Sequence, residues 1–338
     1  MIHRMPDSAA RHLLDTSLVW DNHGCMPLRP ADESFLPQLD RYRRSGAHVV
    51  TLNVGFDALP WRTSLEMLAT FRRWIETRPD EYQLVGSVDD IVTVRASGRL
   101  GVLFDIEGGV ALDGRLEMVE TYYRLGVRWM LIAYNQNNAL GGGCQDDDCG
   151  LTEFGRKVLN EMARVGMVAC CSHTGLRTTL EVMERSARPV IFSHSNPLGV
   201  WRHKRNVSDE AIRACARTGG VVGINGIGTF LGRNDATTET FVRHFEYVAD
   251  LVGPEHVGLG LDYVFDTAEL EAFLHANPHL FPAEEGYAAG LHMIEPERIP
   301  EIVEHLARRG HDDDTIRMFL GGNLLRVARQ VWQPVRAA

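Results

Sequence analysis

The sequence predicts an α/β fold, a (β/α)8 barrel of the TIM type, on three observations. Short apolar, β-branched runs alternate with longer amphipathic stretches along nearly the whole chain, there are eight such runs, and most of them end in a polar or ionisable residue. Alternation of this kind implies parallel strands joined by helices. Eight such units in series close into a barrel, which places functional groups at the C-terminal ends of the strands.

The eight strand-like runs cover 18–23, 48–55, 101–107, 128–135, 167–173, 189–194, 220–225 and 256–262. The intervening helices are readable from their ends. In 151–165, Thr152 and Glu153 precede Phe154, Val158, Leu159 and Met162 at helical spacing, and Gly166 stops the run. Ser208, Asp209 and Glu210 open another that runs to Gly219. The stretch 266–300 is rich in Pro, His and Gly with weak periodicity, so it reads as a long excursion over one face, of the kind that covers substrates or builds subunit contacts. No linker divides the chain, and residues 1–338 read as a single barrel domain.

Composition narrows the function. Of 338 residues, 44% are hydrophobic and 24% charged, enough apolar side chains for a substantial core. A net charge of -10 argues against a nucleic-acid surface, which needs clustered Lys and Arg. The first eight residues lack the apolar core of a signal peptide, and no apolar run approaches membrane-spanning length, so a cytoplasmic location is expected. Six cysteines are too few for a disulfide scaffold. Cys170 and Cys171 read as reduced core residues, and Cys144 and Cys149 flank an acidic, Gly-rich stretch that reads as a metal loop, a disulfide-closed loop or a flexible connection, with a spacing that matches no standard zinc pattern.

The strand ends carry the chemistry. The first ends in His23 and Cys25, on one face by i, i+2 alternation. The third ends in Glu107, the fourth in Tyr134 and Asn135, the fifth in His173, the sixth in His194 and the eighth in Asp262. Imidazoles around a carboxylate that can bridge suit one or two zinc-class divalent ions. Asp262 is placed to carry a proton as general acid and base. Arg205 offers a bidentate fork for a substrate carboxylate or an ordinary solvated charge. His48, His244, His256 and His305 stand at strand starts or on helices and read as structural.

In these residues the chain resembles the membrane dipeptidase family of zinc peptidases, within the amidohydrolase superfamily. The likeness rests on Asp21-Asn22-His23, Ile106-Glu107-Gly108-Gly109, the stretch 150–155, Ser172-His173, the stretch 189–195, Arg205-Asn206-Val207, the stretch 257–262 and the stretch 320–323. It implies a barrel with two zinc ions bridged by Glu107, one also held by His23 and the other by His173 and His194. It further implies that a metal-activated hydroxide cleaves the amide bond of a dipeptide-like small molecule, with Asp262 as proton carrier and Arg205 on the substrate carboxylate. A homodimer also follows from the likeness.

Three positions depart from that pattern. The family's His-x-Asp is His23-Gly24-Cys25 here, a histidine after strand four is matched by Tyr134, and a tyrosine after strand seven by Ile227. Cys25 has three physical fates: a zinc-bound thiolate, a neutral thiol that leaves the first site weak or empty, or a free thiolate nucleophile. Tyr134 and Ile227 leave room for a different small amide or a lactone as substrate. An altered ligand set is also what an inactive, ligand-binding relative would show.

Overall fold

Eight parallel strands surround a common interior in the computed structural model, which describes residues 8–287 and 290–334. The segment read for a leader lies outside the described residues except for Ser8. The strands are β1 (Trp20–Cys25), β2 (Val49–Phe56), β4 (Leu100–Glu107), β5 (Val127–Leu131), β6 (Val168–Cys170), β7 (Val190–Ile191), β8 (Val222–Ile224) and a last one in two pieces, β9 (Val257–Leu259) and β10 (Tyr263–Val264). Neighbours pair in parallel from β1 through β7, Phe192 bridges to Val222 of β8, β8 pairs with β9, and β10 returns to β1. The ring therefore closes. A short β3 (Tyr82–Leu84), not expected from the sequence, pairs with the start of β4 before β5 takes over that edge.

Two apolar layers hold the ring. The larger packs strands against the outer helices, and its residues come from nearly every element. The smaller fills the lower interior, where Leu103, Trp129, Leu131, Val168, Cys170 and Ile191 meet Leu324, Val327 and Val331 of the C-terminal helix Asn323–Val331. Trp20 stacks on Trp129 at 5.7 Å between ring centroids and seals this plug. Burying these side chains is the main stabilising contribution, and it leaves only the upper interior for polar groups.

The helix ends form as their sequence suggests. Thr152 caps Glu153–Val165 by accepting from the Gly155 N–H, and Gly166 ends it with φ of 91°. Ser208 caps Asp209–Arg217 through the Ala211 N–H. The excursion after β10 is more ordered than its composition implied. It contains the helix Thr267–Ala276, whose Asp266 cap accepts from the Glu269 N–H, and it arches over the open end of the barrel. Among the described residues no helix is long and apolar enough to cross a membrane.

Asp57, just past β2, ties three strand ends together. Its carboxylate accepts from the Val110 N–H at 2.8 Å, the Tyr134 N–H at 3.2 Å and Asn138 Nδ2 at 2.7 Å, while its own N–H donates to the Glu107 carbonyl at 3.0 Å. Burial pushes this carboxyl up to about 6, although those donors pull it the other way. The folded state thus holds the proton more tightly than the unfolded chain, and this group's contribution to stability falls as pH rises from about 4 to about 6. In Asp57→Asn the new amide N–H groups face the Tyr134 and Asn138 donors, so the variant is expected to lose about 2 kcal/mol and this part of the pH slope. Urea unfolding across that pH window checks both, and an unchanged midpoint would contradict them.

Candidate metal centre

Alternation along β4 places Leu103, Asp105 and Glu107 on one face, so the strand rises from the apolar plug to two carboxylates. Asp105 Oδ2 takes a hydrogen bond of 2.6 Å from His23 Nδ1, with Trp129 Nε1 at 3.3 Å on the same oxygen and Asn53 Nδ2 at 3.0 Å on the other. A carboxylate on one imidazole nitrogen fixes the tautomer and aims the other nitrogen. His23 Nε2 therefore faces the upper interior. His173 is fixed likewise, its Nδ1 bonded to Asn135 Oδ1 at 2.7 Å, and His194 Nδ1 lies 2.8 Å from Ser193 Oγ.

The free Nε2 atoms converge on Glu107 Oε1, at 3.6 Å for His23, 3.4 Å for His173 and 3.2 Å for His194. His173 and His194 Nε2 are 3.0 Å apart. Glu107 Oε1 itself is buried and accepts no hydrogen bond. Lone pairs gathered around an unpartnered carboxylate oxygen repel one another unless a cation lies among them.

A second group adjoins the first. Cys25 Sγ lies 3.4 Å from His23 Nε2 and 3.6 Å from Asp262 Oδ1, and that oxygen is 3.6 Å from His23 Nε2. Donors sharing one tetrahedral ion at bond lengths of about 2.0 to 2.3 Å stand roughly 3.3 to 3.6 Å apart. Two sets of donors lie within reach of a common ion, Glu107, His173 and His194 in one and His23, His194 and Asp262 in the other, with Cys25 beside the second set.

Strained backbone marks the same strand ends. Asn135, His173 and Asp262 have φ of 58°, 62° and 57°, the left-handed region that side chains other than glycine seldom adopt. Each turns its side chain back over the barrel mouth as the chain leaves the strand. Strain of this kind persists only where surrounding contacts determine it, and it collects at functional sites.

Electrostatics set which protons the cluster holds when no metal is bound. Burial pushes Glu107 up to about 8 and the Cys25 thiol up to about 12. Burial disfavours the charged form of His23, yet Asp105, Cys25 and Glu107 together raise it well above its ordinary value. Burial also drives His173 and His194 well below theirs, with Arg205 and His23 adding to the effect. Without metal the cluster thus holds protons that a dication would displace.

The other expected site residues are placed differently. Tyr134 stacks on His173 at 4.2 Å, and Asn135 Nδ2 is buried without a partner beside the cavity. Arg205 is buried. Its Nη1 donates to Ser195 Oγ at 3.1 Å and its Nη2 to the His194 carbonyl at 2.8 Å, leaving Nε unpartnered. It lines a separate cavity beside His173 rather than the one over Cys25, Glu107 and Asp262.

The sequence profile of the membrane dipeptidase family, peptidase family M19, matches residues 37–275. The chain belongs to the membrane dipeptidase family. The matched segment contains Glu107, His173, His194, Arg205 and Asp262 and begins after His23 and Cys25. Rat "Dipeptidase 3" is 30% identical over 280 residues, 80% of this chain but 52% of that protein, so the chain spans about half of this relative. "Dipeptidase verJ" of Clonostachys rogersoniana is 28% identical over 301 residues, 88% of this chain and 71% of the relative. The crystal structure of an amidohydrolase from Pseudomonas aeruginosa superposes with a TM-score of 0.86 at 28% identity, covering 96% of this chain and 99% of that one.

Within this family member, sequence reasoning missed the residues that act through others. Asp105 had a signal, since it lies two residues before Glu107 on the same strand face. Asn225, whose Nδ2 donates to Asp262 Oδ2 at 2.7 Å, had one too, as the polar end of the run 220–225, although its partner comes from another strand. The histidines read as structural are so: His48 accepts from the Val19 N–H, and His244 and His256 donate to the Leu231 and Gly220 carbonyls. Cys144 and Cys149 are free thiols, as are Cys170 and Cys171 in the core.

Proposed function

We propose that the protein hydrolyses the amide bond of a dipeptide-like small molecule with zinc-class ions held by two groups that share Glu107. The observation that carries this reading is the buried, unpartnered Glu107 Oε1 facing three imidazole nitrogens. His173 and His194 complete one group. His23, Cys25 and Asp262 complete the other. A bound ion of this class acidifies water and polarises a carbonyl oxygen. Around it, Asp105 and Asn135 would hold two imidazoles in their ligating tautomers, Asn225 steadies one oxygen of Asp262, and the other, which faces His23 and accepts from the Cys25 thiol, would take and return a proton.

Cys25 is assigned as a thiolate ligand, since its sulfur sits at tetrahedral donor spacing from both His23 Nε2 and Asp262 Oδ1. Its raised pKa makes ligation proton-linked. Glu107 at about 8 and Cys25 at about 12 give up protons on metal uptake, so affinity rises with pH through neutrality. Elemental analysis of zinc-loaded protein is expected to find two ions in the wild type and one in Cys25→Ala, with an indicator dye reporting protons released on loading. Cobalt substitution is expected to give a thiolate charge-transfer band in the wild type only. Two ions in both proteins would remove Cys25 from the ligand set, and no turnover of a dipeptide panel by fully loaded protein would overturn the activity.

A further inference from the structure

We propose that the cavity over the centre is a subsite for a bulky, uncharged apolar group, aromatic or leucyl-sized, borne by the substrate; this rests on the amide-hydrolase reading above. The excursion after β10 builds the cavity. Phe273 on its helix and Phe281 and Tyr287 beyond it meet Phe56 from the end of β2, Tyr134 after β5 and Ile227 after β8. The rings run in contact from the centre outward: Tyr134 lies on His173 at 4.2 Å, Phe56 on Tyr134 at 5.1 Å, Phe273 on Phe56 at 5.5 Å, and Phe281 on Phe273 at 5.8 Å.

This cluster is separate from both apolar layers of the barrel, so it is not an extension of the core. Phe273, Tyr134 and Leu270 are only half-buried, and they face a cavity of about 190 Å³. An apolar cavity of about 150 Å³ takes a benzene ring, so an aromatic or branched aliphatic side chain fits. The same cavity reaches Cys25, Glu107 and Asp262, which means an occupant bonded to a scissile amide can present that amide to the centre.

Charge narrows the occupant further. Among the described residues no Lys or Arg lines the cavity, and its rim acids Asp266 and Glu269 are both paired with Arg29. A carboxylate placed among the rings of Phe56, Phe273 and Phe281, away from the centre, would lose its hydration with no Lys or Arg lining the cavity beside it. Arg205 and Lys204 line a separate cavity on another side of His173. The apolar part of the substrate therefore enters under the excursion, and any charged part stays outside this cavity.

Hydrolysis of the pairs Phe-Gly against Ala-Gly and Gly-Phe against Gly-Ala by zinc-loaded enzyme tests the subsite. In one position the phenylalanine member is expected to have kcat/KM about 10- to 100-fold higher, most of it in KM. Phe281→Asp and, as a half-exposed alternative that avoids a buried charge, Phe273→Ala are expected to shrink that ratio several-fold. Binding of phenylalanine amide against alanine amide, read by calorimetry, reports the subsite even if no dipeptide is turned over. Equal kcat/KM within both pairs together with equal amide binding would overturn the subsite, as would a preference untouched by either variant. Preferential binding of phenylalanine amide without turnover would uphold it while overturning the dipeptidase reading.

Discussion

Glu107→Gln strips metal from both groups and lowers kcat/KM on the order of 1000-fold or more, about 4 kcal/mol of transition-state stabilisation. The substitution keeps the shape but removes the one oxygen that lies 3.2 to 3.6 Å from three imidazole nitrogens. Two neutral histidines then remain for one ion, and the other loses the charge it shares. The effect on folding runs the opposite way. Burial raises Glu107 from 4.5 to about 8, so the folded state binds its proton more tightly than the unfolded chain. In metal-free protein this contribution to stability falls as pH rises from about 4.5 to about 8, and Glu107→Gln removes that fall. Thermal unfolding should show a metal-free variant no less stable than wild type at the upper end of this window, and no added stability with zinc, where the wild type gains by mass action. A variant that still binds two ions would refute the shared-ligand assignment.

Much of this site was legible because barrel geometry turns sequence order into spatial order. Each of the eight β-branched runs became a strand, and closure brought the groups at their ends to one mouth. His23 and Cys25 came out on one face, as i, i+2 spacing requires, with Sγ 3.4 Å from Nε2. What escaped notice depended on contacts between elements. Tyr82–Leu84 is too short to show a period, and its pairing is decided by β4. The helix Thr267–Ala276 carries only a short apolar stripe, Leu270, Phe273 and Leu274, and that stripe lines a cavity instead of the core. Arg205 was legible as a cation near the site but not in its orientation, which Ser195 and the His194 carbonyl set. Asp57 carried no signal in the sequence, since its three donors lie 53, 77 and 81 positions along the chain.

Asp262→Asn is the second large effect, a fall in kcat of about 100- to 10,000-fold with a much smaller change in KM. Asn is the informative substitution because it tolerates the left-handed φ of 57° that Asp262 holds, whereas Ala would add backbone strain to the chemical loss. Its carbonyl oxygen can keep the bond from Asn225, which fixes the outer side of the group at 2.7 Å. The inner side changes. Where Asp262 Oδ1 faces His23 Nε2 and accepts from the Cys25 thiol, the variant presents an amide nitrogen that neither accepts a proton nor ligates a cation. Burial raises the Asp262 carboxyl above its ordinary value, against the pull of His23 and Arg205, which brings its proton affinity closer to that of the groups it would serve. If Asp262 acts as the base, the acidic limb of the kcat/KM profile disappears in the variant. Metal analysis separates its two contributions: full occupancy with a lost limb assigns the fall to proton transfer, and one ion fewer assigns it to ligation. A variant within tenfold of wild type and with an unchanged pH profile would exclude Asp262 from the reaction.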